Sequence, residues 1–246
     1  QSESVIIFFK DLTDIIKVQQ LKSDFVANVS HELRTPLQSI KLGLETINNG
    51  HAEDDAESQK KILPLVLQQT TRMENIVNDL LSLSRIELQE HIRPNDKIDI
   101  NEIISHSVDL HQEILKKNNI ICKIDQQTKD SIINGDRNRL IEVFNNLIDN
   151  AIKYSEKNKK INITTSSDDK NLIVIVKDEG IGISRENIPQ ITERFFRVNP
   201  AKSKEVGGTG LGLAIVKHIV NQHRAEMNIS SEENKGTTIS INFPKS

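Results

Sequence analysis

The sequence predicts an α + α/β protein, in which a long helical hairpin precedes an α/β sandwich with helices against a mixed sheet. Three observations predict it. Apolar residues recur at helical spacing through Ile15–Ile47 and again through Gln59–Gln89. Strand-like and helical runs then alternate from Ile98 to the C-terminus. Between these regions Arg93-Pro94-Asn95-Asp96 breaks the periodicity and marks the boundary.

The elements follow in order. Val5–Phe9 reads as a β-branched and aromatic strand ending at Lys10-Asp11-Leu12-Thr13-Asp14, where Thr13 or Asp14 can cap a helix. The first long helix carries Val18, Leu21, Phe25, Val29, Leu33, Ile40, Leu44 and Ile47 on one face, close to a heptad. It ends at Asn48-Asn49-Gly50, where Gly50 suits a left-handed cap. The second helix shows Ile62, Val66, Met73, Ile76, Val77, Leu80, Leu81, Leu83 and Ile86, with Pro64 marking a kink or a first turn. A lone hairpin leaves its apolar seam half exposed, so two chains forming a four-helix bundle is the economical solution. Packing of the hairpin on its own downstream domain is the alternative.

Downstream, the pattern gives a strand at Ile98–Ile100, a helix over Asn101–Lys117, strands near Ile120–Ile124 and Ile132–Asn134, and a helix over Arg137–Tyr154. Strands at Ile161–Thr165 and Leu172–Lys177, a glycine-rich region, a helix over Gly210–His223, and strands near Met227–Ser231 and Thr237–Phe243 complete it. The expected domains are residues 1–20 as the remnant of an upstream sensor and signalling helix, 21–92 as the hairpin, and 97–246 as the sandwich.

Composition narrows the function. A net charge of -3 gives no footprint for nucleic acid. Cys122, the single cysteine, cannot form an internal disulfide and reads as a buried or inert thiol made for a reducing compartment. No apolar run approaches the roughly 18 residues that cross a bilayer, which predicts a fragment without direct membrane contact. Beginning at Gln1, it reads as the cytoplasmic part of a longer protein that a membrane anchor would suit.

Six blocks carry chemistry. His31 lies in Ser30-His31-Glu32-Leu33-Arg34-Thr35-Pro36-Leu37, with Thr35 one turn away on the same face and Glu32 beside the imidazole. A neutral imidazole nitrogen is a competent nucleophile near pH 7, and an adjacent carboxylate sharpens it. Pro36 removes an amide donor and should bend the helix beyond the histidine. At the end of the Arg137–Tyr154 helix, Asn146, Asn150 and Lys153 share a face, offering amide oxygens to a hard cation and an ammonium to phosphates.

Asp178-Glu179-Gly180-Ile181-Gly182 follows a strand and suits a carboxylate accepting from an exocyclic amine, although a plain turn explains it as well. Gly207-Gly208-Thr209-Gly210-Leu211-Gly212-Leu213 leads into an apolar helix, presenting amides and a positive dipole end to phosphates. It matches neither a P-loop nor the dinucleotide fingerprint. Glu193-Arg194-Phe195-Phe196-Arg197, continuing through Lys202 and Lys204, suits a lid. Gly236-Thr237-Thr238 precedes the last strand and is open to reading as a hairpin turn.

The His31 box resembles the phosphoacceptor box of bacterial sensor histidine kinases without a mismatch. The later blocks, in this order from about Asp136 to Phe243, resemble the ATP-binding domain shared by histidine kinases, DNA gyrase, the Hsp90 chaperones and MutL. The resemblance implies autophosphorylation of His31 from ATP, with Glu32 as its base, then transfer to an aspartate on the receiver domain of a response regulator. It also implies a homodimer, and a phosphatase activity in which Thr35 positions water. By the same resemblance Asn150 binds Mg²⁺ with Asn146 near it, and Lys153 with the loop Gly208, Thr209, Gly210, Leu211 and Gly212 meets the phosphates. Asp178 reads adenine, with Gly180, Gly182 and Thr237 also at the nucleotide site; Tyr154 lines the pocket, and Phe196 and Arg197 belong to the lid.

Where the ATP-hydrolysing relatives carry a water-activating glutamate, four residues before the Mg²⁺-binding asparagine, this chain has Asn146. An amide cannot take a proton, which implies a site that spares ATP from water. Two alternatives remain at this point: a conformational ATPase, which leaves the His31 helix unexplained, and a degenerate kinase that binds nucleotide as a regulator. The strand, Asp-Leu-Thr-Asp and helix at the start also resemble kinases in which a PAS sensor domain precedes the bundle.

Overall fold

Two periods govern the architecture, one of three to four residues in the helices and one of two in the strands. The computed structural model describes residues 12–48, 56–89, 91–200, 203 and 207–245. The expected strand Val5–Phe9 and the Gly50 cap lie outside them. The chain divides into two compact units, residues 1–74 and 75–246.

In the first unit α1 (Thr13–Asn48) lies against the first part of α2 (Ala56–Leu88). Their direction follows from pairing: Glu32 meets Arg72, whereas a Cβ on Gly43 would stand 2.8 Å from Val66 and 3.3 Å from Ile62. As one number rises the other falls, so the helices are antiparallel and glycine permits their close approach. Pro36 and Pro64 both lie inside these helices, so Pro64 does not mark a first turn.

The second unit begins with the rest of α2, Asn75 to Leu88, and continues through β1 (Asp96–Asp99), α3 (Ile100–Leu110), α4 (Gln112–Lys117), β2 (Ile121–Gln126) and β3 (Ile132–Gly135). Then come α5 (Arg137–Tyr154), β4 (Lys160–Ser167), β5 (Asn171–Asp178), α6 (Gly212–Gln222), β6 (Glu226–Glu232) and β7 (Gly236–Pro244). The main sheet runs β2-β4-β5-β7-β6; β2 and β4 are parallel and the other neighbours antiparallel. This is the mixed sheet expected. β1 and β3 form a separate antiparallel ribbon.

Alternation gives the sheet one inward face. Ile163, Val176 and Ile239 stand in one row across β4, β5 and β7, with Thr165, Val174 and Ile241 in the next, all buried. Thr165 is tolerated there because its hydroxyl donates to Asn101 Oδ1 at 2.8 Å. Against these strands α5 buries Leu140, Val143, Phe144, Leu147, Ile148, Ala151 and Ile152, and α6 buries Ala214, Ile215, Val216, Ile219 and Val220. On β2, burial pushes the Cys122 thiol up to about 11, in keeping with an inert thiol.

Three boundaries differ from expectation, each for a local reason. The helix expected over Asn101–Lys117 is two helices, broken at His111. The His111 ring Nδ1 lies 2.8 Å from the Ser107 carbonyl, and its backbone amide bonds Val108 instead, tightening the turn. The strand expected at Ile98–Ile100 stops at Asp99, whose carboxylate accepts from Asn101 N–H at 2.8 Å and starts α3. α6 begins at Gly212 rather than Gly210, because Gly210 has φ +77.

The N-terminus of α5 is held twice. Asp136 caps it, its Oδ1 accepting from Asn138 and Arg139 amides at 2.9 and 3.1 Å. The Asp136 N–H donates to His223 Nε2 at 3.0 Å, which places the ring proton on Nδ1, 2.7 Å from the Ile219 carbonyl. Burial holds His223 below its ordinary value, against the opposing pull of the Ile219 carbonyl and the Asp136 charge. The unfolded chain therefore binds this proton first, so the ring's contribution is complete above about pH 6.5 and is lost as pH falls further. Urea midpoints should drop between about pH 7 and about pH 5.5, and the drop should be shallower in His223→Gln; an identical slope would exclude this role.

Candidate active site

His31 stands on α1 with its side chain exposed. Beside it Glu32, 21% exposed, accepts from Arg72 Nη2 at 3.1 Å, and Arg72 is only 7% exposed. A guanidinium so placed orients the carboxylate next to the imidazole. Thr35 is exposed and its hydroxyl donates to the His31 carbonyl at 3.2 Å, one turn back on the same face. The first unit thus brings His31, Glu32 and Thr35 together. Sequence reasoning missed Arg72; a lone arginine one residue before the apolar Met73 was the available signal.

In the second unit a cavity of about 420 Å³ gathers thirteen of the remaining expected residues. α5 supplies Asn146, Asn150, Lys153 and Tyr154; β5 ends in Asp178; Gly182, Phe196, Arg197, Gly208, Thr209, Gly210, Gly212 and Thr237 come from the loops. Two expected residues stand behind the wall. Leu211 is fully buried, and Gly180 acts through its backbone amide.

Asp178 points inward because strand period two continues Leu172, Val174 and Val176 to it. Its Oδ1 accepts from the amides of Gly180 at 2.8 Å and Thr237 at 3.1 Å. Burial raises its pKa, and these two amides oppose the rise. With Oδ1 fixed by two donors, Oδ2 is the oxygen left to meet a ligand. Apolar Val176, Ile181, Ile183 and Ile239 line the cavity around it, which suits a flat heterocycle.

At the other end, Lys153 Nζ pairs with Asp149 at 2.7 Å. Asn146 Nδ2 donates to the Glu142 carbonyl at 2.9 Å, and a Cβ on Gly212 would stand 2.6 Å from Asn146 Oδ1. The start of α6 therefore seats directly on the asparagine face of α5. Arg197 Nη2 donates to the Thr209 carbonyl at 2.7 Å, and Phe195 N–H to that of Gly210 at 2.8 Å, tying the aromatic segment to the glycine loop. Amide oxygens suit Mg²⁺, which keeps most of its waters and takes few protein ligands besides phosphate. Among the described residues no group of three or more His, Cys, Asp or Glu could hold a metal.

The cavity is also lined by Asn75, Asn78 and Asp79 of α2, which sequence reasoning did not place there. With Ser82 they form a polar stripe at three- to four-residue spacing, a visible signal that named no partner.

The fold and site define a two-part class: a helical hairpin carrying an exposed histidine, joined in sequence to an α/β sandwich with a cavity at its asparagine-bearing helix. Residues 21–89 match the His Kinase A (phospho-acceptor) domain model, and residues 135–246 match the Histidine kinase-, DNA gyrase B-, and HSP90-like ATPase model. The phosphate regulon sensor protein PhoR of Pseudomonas aeruginosa is 36% identical over 95% of this chain and 52% of its own length. The solved catalytic domain of histidine kinase ThkA is 30% identical with a TM-score of 0.55, over 61% of this chain and 95% of that one. A structure of ThkA in complex with the response regulator protein TrrA is 25% identical with a TM-score of 0.72, over 96% of this chain and 65% of that one. The chain belongs to the sensor histidine kinases of two-component systems. It spans about half the length of PhoR, and among the described residues no helix is long and apolar enough to cross a membrane.

Close backbone approach shapes this site at Gly182, where φ is +68 and a Cβ would meet the Glu232 carbonyl oxygen at 2.0 Å. Gly182→Ala should lower stability by about 2 kcal/mol or more, from left-handed strain plus the clash. A thermal melt checks this; an unchanged midpoint would contradict the geometry.

Proposed function

We propose that the chain is an ATP-dependent protein-histidine kinase that phosphorylates His31 and then donates the phosphoryl group to an aspartate of a response regulator. The observation that carries this is the convergence of Asn150 and Lys153 of α5, Asp178 of β5 and the glycine loop, from three separate stretches of sequence, on one cavity, in a chain whose His31 is exposed.

In this reading Asp178 Oδ2 accepts the exocyclic amine of adenine. The loop from Gly208 to Gly212 and Lys153 hold the phosphates. Asn150, with Asn146 near it, would hold Mg²⁺, which supplies charge neutralisation on the phosphates when bound. An imidazole nitrogen of His31 attacks the terminal phosphorus; the bond to the bridging oxygen breaks, ADP leaves with the electron pair, and the ring proton passes to Glu32. Arg72 positions Glu32 for that exchange. Asn146 offers no base to water, so the site itself does not direct the phosphoryl group to hydrolysis.

In the second step the N–P bond breaks as the receiver carboxylate forms an O–P bond. ThkA, crystallised with a response regulator, supports a partner of that kind. Exposed Val26 and Leu37 on α1, and Leu63 and Leu67 on α2, each pair sharing a face at helical spacing, support burial of apolar hairpin surface in a homodimer. The exposed Thr35 is the residue we assign to positioning water for phosphatase action on the regulator.

Two outcomes test the reading. With γ-labelled ATP the natural chain should acquire acid-labile label, and His31→Gln should acquire less than about a hundredth of it; equal labelling of both would move the site elsewhere. Asp178→Asn should weaken ATP about tenfold or more, since its Oδ1 must still serve two amides and its Nδ2 would then face the adenine amine donor to donor. Unchanged affinity by calorimetry would remove Asp178 from adenine recognition.

A further inference from the structure

Asn75, Asn78 and Asp79 line the cavity from α2, yet the proposed reaction uses none of them. They belong to the stretch Asn75 to Leu88, which lies within the second unit and buries Ile76, Leu83 and Ile86. Polar contacts accompany that burial. Ser82 bonds Glu142 and Arg139, Glu87 pairs with Arg194, and Gln222 Nε2 donates to the carbonyls of Gln89 and Ile92 at 3.1 Å. These pairs sit beside the cavity rather than in it.

Asp79 differs because it engages the glycine loop itself. Its Oδ2 accepts the Thr209 hydroxyl hydrogen at 2.7 Å, while Thr209 Oγ1 receives the Leu211 amide at 3.2 Å. Loop backbone therefore occupies an acceptor position of that hydroxyl and turns its single hydrogen toward the carboxylate. Thr209 is the sole hydroxyl side chain between Gly207 and Leu213, and it is only 9% exposed. Asp79 is thus an anion already seated at the loop expected to receive one. Burial raises its pKa, as do Glu142 and Asp149, and the Thr209 hydrogen bond and Lys153 oppose the rise by favouring the charged carboxylate.

The geometry points to Asp79 as a built-in competitor for the nucleotide polyphosphate, its carboxylate taking the Thr209 hydroxyl that an incoming triphosphate would take. The inference rests on the reading of Gly208 to Gly212 as the phosphate loop. One hydroxyl hydrogen serves one anion at a time, and two anions within a few ångströms repel strongly in a partly desolvated cavity. Nucleotide binding and the hold of Asn75 to Leu88 on the rest of the unit therefore oppose one another. Linkage is reciprocal: the factor by which the Asp79 contact weakens nucleotide is the factor by which bound nucleotide weakens the contact. Asp79 restrains binding rather than reacting, so its substitution acts on affinity.

The test is calorimetric binding of the non-hydrolysable analogue AMPPNP, with magnesium, to the whole chain and to Asp79→Asn. The variant keeps an oxygen for Thr209 but loses the charge, and it should bind about tenfold more tightly. Equal or weaker binding overturns the proposal. Hydrogen exchange on the natural chain gives a second reading that needs no variant: saturation with AMPPNP should speed exchange across Asn75 to Leu88, and unchanged or slower exchange overturns it. If the natural chain binds no AMPPNP, the nucleotide reading itself fails and this inference with it. If it binds and Asp79→Asn binds alike, only the competitor fails.

Discussion

α5 has to satisfy two environments along its whole length, and the second unit is arranged around that demand. One face, from Leu140 to Ile152, is buried against the sheet; the other carries Asn146, Asn150 and Lys153 to the cavity. The two faces are locked in phase, since a rotation that exposed Phe144 would also carry the asparagines out of place. Fixing the helix end is what sets that phase. Asp136 satisfies its first amides and His223 holds the Asp136 amide, so a histidine far along the chain governs where Asn150 stands. The C-terminal end is fixed too: the Tyr154 carbonyl accepts the Ile181 amide at 3.1 Å, and a Cβ on Gly180 would stand 2.6 Å from that oxygen.

From this frame the rest of the cavity follows by close backbone contact. Gly180, Gly182 and Gly236 bring the β5 turn, the β6–β7 turn and Asp178 together, and a Cβ on Gly236 would stand 2.0 Å from the Asp178 carbonyl oxygen. The sheet's period of two then aims the Asp178 side chain inward, and two amides fix one of its oxygens. A carboxylate held this way is directional: what it presents to a ligand is set by backbone, not by a rotamer. The same economy appears on α1, where Arg72 rather than chance orients the carboxylate beside His31.

Much of this was legible from residues alone. The α5 boundaries coincide with Arg137–Tyr154 because Asp136 is a strong cap and the apolar spacing is regular. The mixed sheet, the hairpin and the blocks that meet in the cavity were likewise readable from period and punctuation. What escaped reading is tertiary. The break at His111 depends on a ring finding the Ser107 carbonyl, and the late start of α6 on Phe195 backbone abutting Gly210. Arg72 and Asp79 were hidden for the same reason: periodicity shows which side of a helix is polar but not which partner that side meets. Leu211 stands in a motif yet faces the core, so a block of sequence does not assign every member to the ligand.

The chemical centre of the proposed function is Asn146 in place of a carboxylate: a triphosphate held in the cavity would meet no base able to activate water, in a chain carrying an exposed imidazole. Its most direct measurement is stoichiometric. In a single turnover with enzyme in excess over ATP, protein-bound phosphohistidine should rise one for one with ADP, with negligible inorganic phosphate in the same interval. Inorganic phosphate appearing in step with ADP, while the protein stays unmodified, would contradict it and make the site a hydrolase.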